Sequence, residues 1–206
     1  CSLNVVKAGD VVQFGCMSVE FINVNHSIPD ACAMAIHTPA GVVIQTGDFK
    51  IDYTPIEGKV INLARFGELG RKGVLALLSD STNAERPGFT QSERSLSKTF
   101  DTIFTEHKNT RIIVATFASN VDRVQQIINA AHRFGRKVVV EGRSMVNIIE
   151  TATALNRLNV PDNTLIDIEM LKDYPEEKTV LITTGSQGES MAALSRMAMG
   201  QHRKVK

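Results

Sequence analysis

From residue 111 onward, short β-branched runs alternate with stretches of helical periodicity, and this alternation restricts the fold more than anything else in the chain. RIIVATF, KVVVEG and TVLITTG read as buried strands. The first is followed by Val121, Val124, Ile127, Ile128 and Ala131, which recur on one helical face. The second leads into a helix from Ser144 to about Asn156, and the third into a helix around Ser190 to Met199. A further helix precedes them, from Thr90 to about His107. Leu96, Phe100, Ile103 and Phe104 lie on its apolar face, and Thr90-x-x-Glu93 opens it as a capping box. Strands separated by amphipathic helices pair in parallel, and the helices cover both faces of the sheet. Residues 83–206 are therefore expected to form a Rossmann-like α/β domain with a mainly parallel sheet.

The first eighty residues have a different rhythm. VVQFG, VEFINVN, ACAMAIHT and VVIQTGD are short strands with turn residues between them, and Thr38-Pro39-Ala40-Gly41 reads as a hairpin connection. INLARFGELGRKG predicts a short helix ending at a glycine, and VLALLSD a buried strand ending at Asp80. The organisation is thus a β-rich part, 1–82, followed by the α/β part. With 206 residues, 43% hydrophobic and 22% charged, the composition is that of an ordinary globular protein. The net charge of +1 does not exclude nucleic acid, because a basic groove can hide within a balanced total. The three cysteines, Cys1, Cys16 and Cys32, form no CxxC pair and read as reduced thiols, with Cys32 a small core residue. No apolar run approaches the ~20 residues of a membrane span, and no signal-peptide pattern opens the chain. Asn25-His26-Ser27 matches a glycosylation sequon, which matters only in a secreted protein. The chain opens on Cys1 and not on methionine, which suggests a piece of something longer.

In a parallel α/β sheet, ligands gather beyond the carboxyl ends of the strands. Three segments stand there: Phe117-Ala118-Ser119-Asn120, Gly142-Arg143-Ser144-Met145 and Thr184-Gly185-Ser186-Gln187-Gly188-Glu189. Each is small and polar and leads into a helix, whose first N–H groups and dipole favour an anion such as phosphate. Arg143 adds a charged fork. Taken singly, each segment is better explained as a cap or a turn; three at one sheet edge point toward a phosphate-bearing ligand. None matches the Walker pattern or the dinucleotide fingerprint GxGxxG, which disfavours an oxidoreductase. His26 and Asp48, each just past a strand, suit a zinc site in chemistry, since imidazole and carboxylate both bind zinc. Taken alone, a histidine near a strand end is more often a hydrogen-bonded structural residue, and an aspartate after Gly47 is often a turn residue. Zinc requires about four ligands, and His37, His107, His132 and His202 are not placed to help.

The ordered set VNHSIPDA, TGDFK, LLSDSTNAERPG, ATFASN, GRSM and TTGSQGE resembles the bacterial ribonuclease J family, in the β-CASP group of the metallo-β-lactamase superfamily. The resemblance covers essentially the whole chain. It implies part of an αββα metallo-β-lactamase sandwich followed by most of a β-CASP domain. It also implies two zinc ions in the full-length parent and hydrolysis of RNA phosphodiesters, both internally and from a 5′-monophosphate end. By matching motifs, His26 would bind one zinc, Asp48 would bridge both, and Asp80 would support the metal site. The loops around Ser119 and Ser186 would face the RNA. The implied partner is 5′-monophosphorylated single-stranded RNA, and the implied parent is a cytoplasmic homo-oligomer.

The family's main metal cluster, HxHxDH, occurs nowhere in these residues, and neither does the later HxSGH stretch. The first is expected upstream of Cys1 and the second downstream of Lys206. The 206 residues alone are then expected to be a poor nuclease. The alternative is a Rossmann-like module that binds RNA ends or nucleotides without cutting them.

Overall fold

The computed structural model of the chain describes residues 2–56 and 59–205. Two compact units form, Cys1–Arg94 and Ser95–Lys206. In the first, five strands make one sheet: β1 (Val11–Phe14), β2 (Met17–Asn23), β3 (Cys32–Thr38), β4 (Gly41–Gln45) and β5 (Ala76–Leu78), in that spatial order. The first four are antiparallel neighbours, with β3 and β4 joined by the expected Thr38–Gly41 turn, and β5 pairs in parallel with β4. Helix α1 (Leu63–Lys72) supplies the crossover. It begins at Asn62, whose side chain accepts the Arg65 N–H, and stops at Gly73.

Period-two alternation sends Ile22, Ala33, Ala35 and Ile44 to one face, where they bury against Ile61 and Leu69 of the α1 region. The same helix is tied to the sheet by charge. Arg65 donates Nε to Glu20 Oε1 at 2.6 Å and a terminal nitrogen to Oε2 at 2.9 Å, while His37 approaches Oε2 at 3.3 Å. The Arg65 bonds hold the Glu20 carboxyl below the ordinary glutamate value of 4.5, against the opposing pull of burial, and His37 adds to the lowering. A carboxyl depressed in the folded state stabilises the fold above its unfolded value and loses that contribution as pH falls through the folded one. In urea titrations, Glu20→Gln should therefore unfold at lower urea than the native chain at neutral pH. The gap should close as the pH falls below about 4.5. A gap independent of pH would show that the Arg65 bond does not depend on the charge of Glu20.

Three expectations in this unit need correction. VLALLSD forms a strand but not a buried one: Leu77 is 61% and Leu78 55% exposed. The reason is position, because β5 is the edge strand and pairs only with β4. Thr90 does not cap a helix. A 3-10 turn, Glu93–Ser95, precedes helix α2 (Leu96–Glu106), and the Glu93 carboxylate points to Lys50 instead. Cys32 is half-buried and not a core residue. Burial, with the Asp30 carboxylate nearby, pushes its thiol pKa up. Cys16 is an exposed free thiol, and Cys1 lies outside the described residues.

The second unit is the anticipated α/β layer structure. Its strands β6 (Ile112–Ala115), β7 (Lys137–Glu141), β8 (Leu165–Ile166) and β9 (Thr179–Thr183) pair in the order β6-β9-β7-β8, and every pairing is parallel. Alternate residues of these strands go to opposite faces. Val138, Val180 and Ile182 pack with α2, α3 (Val121–Arg133) and α4 (Arg143–Ala154). Val139 and Leu181 pack with Leu171, Val205 and the short helix α5 (Ala193–Ala198). Covering both faces explains why these strands read as continuous apolar runs. The last helix is shorter than its sequence suggests. Residues 185–191 close a turn first, with Gly188 N–H on the Gly185 carbonyl and the Ser195 hydroxyl on the Glu189 carbonyl.

Candidate metal and nucleic-acid sites

Strand direction gathers the acidic and imidazole residues of the first unit. β2 and β4 are both antiparallel to β3, and β5 runs with β4, so all three end at the same sheet edge. His26, Asp48 and Asp80 follow those three ends. His26 Nε2 lies 3.7 Å from Asp48 Oδ2, with the two side chains 35% and 74% exposed, so both donors face solvent. Asp80 is anchored from two sides. Its backbone N–H donates to the Thr46 hydroxyl at 2.9 Å, and its Oδ2 accepts the Phe49 N–H at 3.4 Å. Its Oδ1 accepts the Thr82 N–H at 3.0 Å and the Thr82 hydroxyl at 2.7 Å. The two Thr82 bonds hold its carboxyl below the ordinary aspartate value; the Phe49 N–H and the nearby His26 act in the same sense. Asp80 is thus kept anionic beside the other two.

Among the described residues, no group of three or more His, Cys, Asp or Glu side chains converges as a complete metal set. His26 and Asp48 fit zinc in donor chemistry and mutual approach, and they make part of a coordination shell. Asn25, the sequon residue, is buried and hydrogen-bonded to Lys59 and Ile61, so its amide is not offered to solvent. Sequence reasoning missed Asn25, Thr46 and Lys50 as supports of this edge. The adjacency of Asn25 to His26 and of Lys50 to Asp48 was the available signal.

In the second unit, the three small polar segments also meet at one edge. β9 lies between β6 and β7, so the loop after β9 is flanked by the other two. Thr116 N–H bonds the Thr183 carbonyl, and a side chain on Gly142 would meet the Thr184 hydroxyl at 3.0 Å. Gly185 is more tightly specified. Its φ of +112° and the neighbouring Ala192 and Leu194 side chains, 2.9 Å from where a Cβ would stand, admit only glycine. Phe117 is half exposed, Ala118 packs against the core, and Ser119 is exposed. Asn120 is buried and caps α3 by accepting the Arg123 N–H at 3.1 Å.

Arg143 and Ser144 are exposed at the start of α4, which carries no side-chain cap. Ser186, Gln187 and Gly188 are exposed on the turn after Thr184 and Gly185. That turn does not present the helix N-terminus expected of it. α5 begins only at Ala193, and the Gln187 N–H is taken by the Glu189 carboxylate at 3.2 Å. The helix ends at this edge are therefore unequal, with α3 capped by its own Asn120 and α4 open.

The first unit thus brings His26, Asp48 and Asp80 to one sheet edge, and the second brings three small polar segments to one edge of its parallel sheet. Residues 109–206 match the family described as "Ribonuclease J, beta-CASP domain", and that part of the chain belongs to it. The whole chain is related to named members. It is 46% identical over 206 residues to Ribonuclease J of Synechocystis sp. (strain ATCC 27184 / PCC 6803 / Kazusa), covering 100% of this chain and 32% of that protein. It is 48% identical over 193 residues to Ribonuclease J of Mycolicibacterium smegmatis, covering 94% and 34%. Against Ribonuclease J of Thermus thermophilus, the figures are 42% over 205 residues, 99% and 35%. The chain thus spans about a third of the length of the curated relatives it matches. A crystal structure of a protein of unknown function from Enterococcus faecalis V583 shares the fold, with a TM-score of 0.61 at 20% identity over 90% of this chain and 45% of that one.

Proposed function

We propose that this chain is a segment of a cytoplasmic, zinc-dependent ribonuclease that hydrolyses RNA phosphodiesters, internally and from a 5′-monophosphate end. The observation that carries the reading is the approach of His26 Nε2 and Asp48 Oδ2 to 3.7 Å from the ends of two non-adjacent strands, in a chain related throughout to ribonucleases J. His26 would give one imidazole nitrogen to a zinc ion, and Asp48 the carboxylate that bridges two. Zinc, when bound, supplies Lewis acidity toward the phosphodiester and eases deprotonation of water. Asp80, kept anionic by Thr82, orders the Phe49 backbone next to Asp48. On the second unit, Arg143, Ser144 and Ser186 would hold RNA phosphate, and Phe117 offers its ring to a base. Ser119 and Asn120 complete that edge. No helix of the described residues is long and apolar enough to cross a membrane.

Two side-chain donors do not hold two zinc ions, so the 206 residues by themselves are expected to bind RNA and not cut it. The natural full-length parent, taken here to be a homo-oligomer, should degrade 5′-monophosphorylated RNA and stop when a chelator strips its metal. Degradation that continues in chelator would sink the zinc mechanism. Binding without cleavage by the full-length parent would favour a module that only captures RNA ends.

A further inference from the structure

Two residues beyond Asp48 lies a buried cluster of charges that the reaction does not itself require. Lys50 Nζ stands 3.6 Å from Asp52 Oδ2 and 3.7 Å from Glu93 Oε1, with the three side chains 16%, 3% and 10% exposed. Burial alone would push the Asp52 carboxyl up. Donors from Thr54, Ser92 and Glu93, together with the Lys50 charge, outweigh it and keep Asp52 ionised. Replacing such a cluster with well-packed apolar side chains is often neutral or stabilising, so stability is a weak reason for it.

Its connections suggest another reason. The Lys50 backbone N–H bonds the Asn25 carbonyl at 2.8 Å, in an isolated antiparallel bridge that sets the His26 strand end against the Asp48 loop. The Asn25 side chain is itself fixed, accepting the Ile61 N–H at 2.9 Å and donating to the Lys59 carbonyl at 2.8 Å. Glu93 sits on a strap bound to the same loop, through the Ser92 hydroxyl on the Thr54 carbonyl and Arg94 on the Pro55 carbonyl. The main chain of Lys50 thus grips the His26 side, while its ammonium grips Asp52 and the strap.

We infer that Lys50, held by Asp52 and Glu93, is a positioning residue for the metal ligands, keeping the Asp48 carboxylate in register with the His26 imidazole. This rests on the zinc reading above. Outer residues of this kind orient ligands, and their loss weakens metal affinity.

The test uses the full-length protein, stripped of metal and titrated with Co²⁺, with the visible absorption band read at each addition. Lys50→Met should raise the Co²⁺ dissociation constant about 10- to 100-fold, read well below its melting temperature, which should fall because Asp52 and Glu93 lose their buried counter-charge. Lys50→Arg should recover most of that affinity, and Glu93→Gln should shift it in the same direction as Lys50→Met. His26→Ala serves as the reference and should lose the part of the band that comes from the ion His26 would hold. If His26→Ala loses that part of the band while Lys50→Met and Glu93→Gln bind Co²⁺ like the native protein, the cluster is only structural and the inference fails. A Lys50→Met loss that Lys50→Arg does not recover also counts against it. If His26→Ala binds Co²⁺ normally, the zinc reading is what fails. Should Lys50→Met not fold, Glu93→Gln, which keeps shape and removes one charge, decides the question.

Discussion

His26→Ala in the natural full-length protein should slow cleavage of 5′-monophosphorylated RNA at least about a hundredfold, with zinc in excess. Among the described residues, His26 is the imidazole at the strand-end edge, where Asp48 and Asp80 bring carboxylates. Metal assistance to phosphodiester hydrolysis is worth several kcal/mol, and each 1.36 kcal/mol lost from the transition state is tenfold in rate. Stability should change little. The side chain is 35% exposed and outside the apolar cluster, so its removal should stay within about 0.5 kcal/mol in urea unfolding. Initial rates on a 5′-labelled RNA, beside urea midpoints, check both halves. A native rate in the variant would remove His26 from the site, and an unfolded variant would make it a structural residue.

The second large effect concerns the α/β unit. Phe104 is fully buried on α2, with its ring 5.4 Å from that of Phe134, while the Arg136 guanidinium lies 5.4 Å over its face. Arg136 is itself buried and donates to the carbonyls of Thr110 and His107, and burial pulls its pKa below the ordinary arginine value. Phe104→Ala therefore opens a cavity, breaks the ring pair and strips one face from a buried cation. We expect a loss of about 3–5 kcal/mol, a large part of the stability of a domain this size. Urea unfolding followed by helical circular dichroism measures it. A loss under about 1 kcal/mol would mean that α2 is not packed on the sheet through this ring.

The α/β architecture was legible because one physical cause, burial on both faces, wrote itself into contiguous runs such as TVLIT, every residue of which is buried. The same cue misled at VLALLSD. An apolar run reports that a strand is sticky, but its exposure depends on how many neighbours the sheet provides. Thr90-x-x-Glu93 met the local rule for a cap, yet Glu93 was drawn to Lys50, a partner far away in sequence. His26, Asp48 and Asp80 could be singled out because each follows a strand. Their meeting at one edge depends on β2, β4 and β5 sharing a direction, which only the pairing reveals. Lys50 went unnoticed because a lysine in a loop is ordinarily solvated, and burial of its ammonium is a tertiary property.

The place of β9 bears on how such a chain is made. Of the four parallel strands described, the one latest in sequence lies between β6 and β7, so Ile112 finds its partner Val180 only late in synthesis. β6 and β7 must remain unpaired with each other, their apolar edges open, until residues 179–183 insert. A chain that stalls or is clipped before Thr179 would therefore present two unsatisfied parallel edges, a form suited to disposal or aggregation and not to partial function.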